Sequence, residues 1–389
     1  MGEDGAGDVG SVPRGRRVGE ILRVLMISKA CIVGAYQKKL EELARFDDVE
    51  LTVIVPPYWR DERGVMPLER AHTQGYQLIV EPMLLNGHFH LHFYPGLGKH
   101  VRRLEPDIVH IDEEPYNVAT FQAMRLAKSA GAKALFFTWQ NLKRTYPFPF
   151  NCIQGYNLKK ADYAIAGNQE AVEVWRGKGY TGPIKVIPQF GVDPDIYKPR
   201  ITHHASRFTI GYVGRLVEEK GVKVLLQAVE GLAGEWRLRI LGSGPTQPQL
   251  EALARQLGIV ERVSFESPIP SAQMPTFYNQ LDTLVLPSLT RPHWKEQFGR
   301  GLIEAMACGV PVVGSCSGEI PHVIGQAGLT FTEGDVQELR ARLSQLMDAP
   351  ALHADLARRG RERVLAHYTQ ARIAAETHEV YRQLLTPAG

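Results

Sequence analysis

The chain has 389 residues, 44% of them hydrophobic and 22% charged, which is ordinary for a soluble globular protein and ample for two hydrophobic cores. A formal charge of +3 is too small to imply a nucleic-acid binder, which normally needs a concentrated basic face, although it leaves room for local basic clusters. The four cysteines, Cys31, Cys152, Cys308 and Cys316, lack both metal-ligand spacing and a disulfide rhythm, so the composition points to a reducing, cytoplasmic setting without structural zinc.

Residues 1–20 are rich in Gly, Asp and Arg and read as a loose leader. No stretch beyond them approaches the roughly 20 apolar residues of a membrane-spanning helix, so any membrane contact would be peripheral. From Ile21 onward short apolar runs alternate with amphipathic stretches, the pattern of βαβ units. Strands are expected at Leu22 to Ile27, Val49 to Val55, Ile108 to Ile111, Ala132 to Thr138, Tyr163 to Ala166 and Lys185 to Ile187. Helices fill the gaps, as at Ala35 to Arg45 and Val118 to Ala130. The segment from His88 to His100 carries four histidines without clean ligand spacing and reads as a mobile acceptor-side loop, with a metal site the lesser alternative.

After a polar linker near 194–206 the pattern restarts, with strands expected at Thr209 to Val213, Arg237 to Leu241, Arg262 to Phe265, Thr283 to Pro287 and Pro311 to Gly314. The result is an α/β chain of two doubly wound, Rossmann-like domains, 21–195 and 206–368, facing each other across a ligand-binding cleft. The final helix, 369–386, is expected to fold back onto the first domain.

The most informative stretch runs from Glu296 through Gln297, Phe298, Gly299 and Arg300 to Glu304. It reads as a loop entering a helix near Gly299, where backbone N–H groups offer an anion site and two carboxylates suit paired sugar hydroxyls. An amphipathic helix with two solvated glutamates is the plainer reading. Gly214-Arg215-Leu216 ends the first strand of the second domain and Glu219-Lys220-Gly221 opens the next helix, which sets two cations at the sheet edge where a diphosphate would lie. Gly242 and Gly244 form a Gly-rich turn after the following strand.

Together with Ser317-Gly318-Glu319-Ile320-Pro321, these segments resemble the retaining GT-B glycosyltransferases of family 4. The resemblance covers essentially residues 21–385 and is more specific in the second domain. It implies hexosyl transfer from a UDP- or GDP-sugar, with Arg215 and Lys220 on the diphosphate, Glu304 on the ribose and Glu296 on the donor sugar. Gln297, Phe298, Gly299 and Arg300 belong to the same donor turn. It also implies retention of configuration, no metal cofactor, and a glycan, lipid-linked or small-molecule acceptor on the first domain.

The first domain departs from that family's pattern. Gly34 is the candidate for a glycine facing the donor phosphate, and either His110 or Asp112 is expected at the reaction centre. The usual Asn-Gly-Val-Asp is replaced by Phe190-Gly191-Val192-Asp193. On the acceptor side, Asn141, Lys143, Arg144 and Tyr146 lie in an aromatic and basic segment, and Lys99 to Arg103 adds a basic patch. Peripheral contact with an anionic membrane and a plain solvated face are the two readings of these cations. A sugar-nucleotide epimerase, a retaining phosphorylase and a non-enzymatic sugar-nucleotide scaffold share the architecture and stand as alternatives.

Overall fold

The computed structural model describes residues 21–61, 64–200 and 207–386; the leader at 1–20 and part of the linker, 201–206, lie outside them. Among the described residues nine strands precede the linker: β1 (Leu22–Ile27), β2 (Val49–Val55), β3 (Tyr58–Asp61), β4 (Gly64–Pro67), β5 (Gln77–Val80), β6 (Ile108–Ile111), β7 (Lys133–Thr138), β8 (Tyr163–Ala166) and β9 (Ile184–Val186). Six follow it: β10 (Phe208–Val213), β11 (Trp236–Leu241), β12 (Val263–Glu266), β13 (Thr283–Leu286), β14 (Val312–Ser315) and β15 (Leu329–Phe331).

The first sheet has the order β5-β2-β1-β6-β7-β8-β9 and the second β12-β11-β10-β13-β14-β15. All pairings in both are parallel. Apart from the β3–β4 hairpin, each order steps outward from the first strand and then reverses, which opens a crevice at the carboxyl ends of the central strands. The largely apolar runs of β1, β6 and β13 follow from burial on both faces.

Each sheet has its own core, and the chain crosses between them at two places that bond to each other. Val192 donates its N–H to the carbonyl of Tyr368 at 2.9 Å, and Gln370 donates to Val192 at 3.0 Å. A Cβ at Gly191 would stand 2.4 Å from the Tyr368 carbonyl oxygen, so only glycine permits this approach. Thr369 then caps the helix Gln370–Leu385, its hydroxyl accepting from the Arg372 N–H. That helix buries Ile373, Ala374, Val380, Tyr381 and Leu384 in the core of the first sheet.

Candidate active site

In the second domain the site is assembled by turns at strand ends. Gly221, with φ at +65°, closes the short turn Glu218–Lys220, and a Cβ there would lie 1.9 Å from the Pro287 carbonyl oxygen. The Leu289 N–H donates to Glu219 across the same contact at 2.8 Å. This close packing delivers Lys220 Nζ to Glu296 Oε2 at 2.6 Å, where the Ser288 hydroxyl also donates at 2.9 Å. The Lys220 ammonium sits 4.7 Å from the centre of the Trp294 ring. Gly242 and Gly244 pack against the carbonyls of Gly214 and Leu216, so the β10 and β11 loops form one surface beside exposed Arg215.

Three residues beyond Glu296, Gly299 caps the helix Arg300–Ala307, whose first-turn N–H groups have no acceptor within the helix. Glu304 is buried inside that helix. Its Oε2 accepts from the Tyr278 hydroxyl at 2.8 Å, its Oε1 from Tyr197 at 3.4 Å, and Arg300 Nε lies 2.7 Å from the same Oε1. The Arg300 guanidinium pairs with Glu304 and stacks 4.8 Å over the Tyr36 ring of the first domain. Tyr197 and Tyr278 carry no motif and were not foreseen.

Gln297 and Phe298 look toward the first domain. The Gln297 side chain donates to the Trp139 carbonyl at 3.0 Å, its own carbonyl accepts from Asn168 at 2.9 Å, and the Phe298 ring lies 5.7 Å from that of Trp139. Asn141 donates to the Glu296 carbonyl at 3.2 Å and Arg144 to the His293 carbonyl at 2.6 Å. Asn141 and Arg144, expected to face an acceptor, therefore hold the donor-side loop instead. Tyr146 stacks on Tyr116 at 4.3 Å in a small pocket between the domains, and Lys143 is exposed outside its lining.

In the first domain three further expectations change. The Gly34 N–H already donates to Glu69 Oε2 at 2.6 Å, so a carboxylate holds the amide assigned to a donor phosphate. His110 is 1% exposed and its Nδ1 lies 2.7 Å from the Tyr381 hydroxyl, with burial driving its pKa well below the usual imidazole range. It faces the C-terminal helix rather than the cleft. The histidines of 88–100 are dispersed: His92 is buried beside Glu113, His100 bonds Glu81 at 2.8 Å, and His90 packs on Tyr116. A Leu84–Phe93 bridge closes that segment. Among the described residues no group of three or more His, Cys, Asp or Glu could hold a metal ion.

Asp112 does reach the cleft, at the floor of a cavity of about 460 Å³. Its Oδ2 accepts from Ser28 Oγ at 2.5 Å and its Oδ1 from Gln189 Nε2 at 3.0 Å, while Gln189 Oε1 accepts from the Trp139 indole at 2.8 Å. Burial alone would raise Glu113, but Lys29 and then His92 outweigh it and pull its pKa down to about 2. Glu114, by contrast, is pushed up to about 7 by burial even though Thr138 Oγ1 and the Trp139 N–H both donate to it.

The fold and this crevice define a GT-B protein. HepE of Anabaena, solved in complex with UDP, superposes with a TM-score of 0.71 over 93% of this chain and 100% of its own, at 17% identity. Residues 195–363, most of the second domain, match the model of the family Glycosyl transferases group 1. Similar sequences include the 2-deoxystreptamine glucosyltransferase of Streptomyces kanamyceticus, 32% identical over 46% of this chain and 49% of that protein. D-inositol 3-phosphate glycosyltransferase 2 of Catenulispora acidiphila is 32% identical over 57% of this chain and 56% of its own length. The chain spans about half the length of the curated relatives it matches. No helix among the described residues is long and apolar enough to cross a membrane.

Proposed function

We propose that this chain is a retaining glycosyltransferase that binds a UDP- or GDP-sugar on its second domain and transfers the sugar to an acceptor held by the first. The observation that carries this reading is the Lys220–Glu296 pair, 2.6 Å apart, beside the Gly299 helix tip. In this structure the two groups satisfy each other. A diphosphate would draw Lys220 onto its oxygens, with Arg215 and the helix-tip amides adding positive potential, and would release Glu296 to accept hydrogen bonds from the donor sugar. Glu304, fixed by two tyrosine hydroxyls, is positioned to receive the ribose hydroxyls.

In the transfer step the bond from the anomeric carbon to the diphosphate oxygen breaks with its electron pair leaving on the diphosphate. The acceptor oxygen forms the new bond on the same face, and its proton passes to the departing phosphate. Fixed cations and amide dipoles offset the growing charge, so no metal ion enters the proposed step. Asp112 orients the acceptor hydroxyl.

Titration with UDP and GDP, followed by mass spectrometry of products from UDP-glucose and GDP-mannose with and without EDTA, tests this. Binding of one nucleotide, and donor turnover that survives EDTA, is the expected result. Release of an epimerised nucleotide sugar without an acceptor, or a requirement for inorganic phosphate, would contradict it. Peripheral membrane contact is a separate proposal, supported by exposed Arg102 and Arg103 on the helix Leu97–Leu104 and by Phe148, 80% exposed. Sedimentation with anionic vesicles checks it, and no enrichment over neutral vesicles would refute it.

A further inference from the structure

The cavity above Asp112 is walled largely by aromatic and apolar side chains, with the carboxylates of Asp61, Asp112, Glu113 and Glu114 also in its lining. Trp59 and Met66 face it from directly paired positions of the β3–β4 hairpin. Burial alternates along β3, so Trp59 is buried while Tyr58 and Arg60 point outward. Phe89 closes a second side and Phe137 and Trp139 a third. The cation in the wall, Lys29, is paired with Glu113 and covered by two rings, 4.7 Å from Phe89 and 5.5 Å from Trp59.

The polar groups at the floor are engaged with one another. Ser28 and Gln189 donate to Asp112, the Trp139 indole to Gln189, and Thr138 with the Trp139 amide to Glu114. What remains is spare acceptor capacity on the carboxylates, enough to receive a hydroxyl proton. A flat apolar ring with a hydroxyl at its edge fits both the aromatic walls and the acidic floor.

From this we propose that the acceptor is a compact apolar-ring alcohol of the phenol type, packed against the aromatic wall that Trp59, Phe89, Phe137 and Trp139 form, with its hydroxyl on Asp112. The proposal rests on the transferase reading for its chemistry: the hydroxyl oxygen bonds the anomeric carbon, the diphosphate leaves with the electron pair, and the proton goes to that phosphate. The position is suitable because Trp139 touches Phe298, and Tyr36 of the same cavity lies under Arg300, both beside the donor turn.

The test is equilibrium binding of 4-methylumbelliferone to the full chain by fluorescence, with myo-inositol and glucose as competitors, without any donor. Saturable binding that the polyols do not displace is expected, weakened about 10-fold in Trp59→Ala and in Phe89→Ala. Phe89 lies in a half-exposed loop, so its variant remains informative if Trp59→Ala misfolds. No binding, or equal binding by wild type and the Phe89 variant, would overturn the proposal. So would displacement by inositol, or transfer from a donor only to a polyol or a vesicle lipid. Nucleotide titration on the same sample judges the transferase reading separately.

Discussion

The structure divides the acidic and basic side chains of the first domain into those that hold the fold and those poised in the cleft. His110 belongs to the first group. Held neutral by burial and bonded to Tyr381, it ties β6 to the C-terminal helix. Tyr381→Phe should cost about 1–2 kcal/mol of stability by leaving the buried Nδ1 unpaired, with nucleotide affinity unchanged. Thermal denaturation beside calorimetry checks both halves. Glu114 gives the fold a pH signature. Its folded pKa, about 7, lies above the ordinary carboxylate value, so the native state holds a proton that the unfolded chain has lost. That contribution is fully present below about pH 4.5 and fades as pH rises through 7. Melting temperature should therefore fall between pH 5 and 8, and Glu114→Gln should flatten the fall. Glu113 acts at the opposite end: pulled down to about 2, it contributes above the ordinary carboxylate range and loses that contribution only in acid.

At the scale of single elements, the site depends on turns that glycine alone can make. Gly221→Ala would place a methyl on the Pro287 carbonyl and force the Glu218–Lys220 turn off β13, moving Lys220 away from Glu296. Nucleotide affinity should drop about 10-fold or more while the far-ultraviolet dichroism stays native; an unaltered affinity would detach the turn from binding. The central strands of both sheets were legible in the sequence because buried parallel strands are largely apolar runs, as in β1 and β13. The β3–β4 hairpin was not. Its four-residue strands mix Tyr, Trp, Arg and Asp after a Pro-Pro pair, too short for alternation to show, and β15 has only three residues. The same limit hid the cavity above Asp112, since Trp59 and Phe89 line it together only when the hairpin packs beside the 84–93 loop. Lys220, Glu296 and Gly299 were readable because they lie within local turns. Tyr197 and Tyr278 reach Glu304 from 107 and 26 residues away with no local mark. Gly34 misled for a related reason: the sequence could not reveal that Glu69, 35 residues on, takes its N–H.

Across the whole molecule, two domains with separate cores meet where donor and acceptor would meet. Loops after β7 and β8 grip the 293–298 segment through Asn141, Arg144 and Asn168, while the paired crossings at Val192 and Tyr368 hold the opposite side. Glu296 stands at the centre: its carbonyl is held by the first domain and its carboxylate by Lys220 of the second. A ligand that takes Lys220 thus acts on the very residue through which the domains touch. The most direct test is calorimetric titration of UDP and GDP into wild type and Lys220→Ala. Loss of one charge-assisted contact to the diphosphate predicts binding weakened by about 10- to 100-fold in the variant. Equal affinities in the two proteins would show that the diphosphate does not lie at Lys220, and the proposed donor site would be wrong.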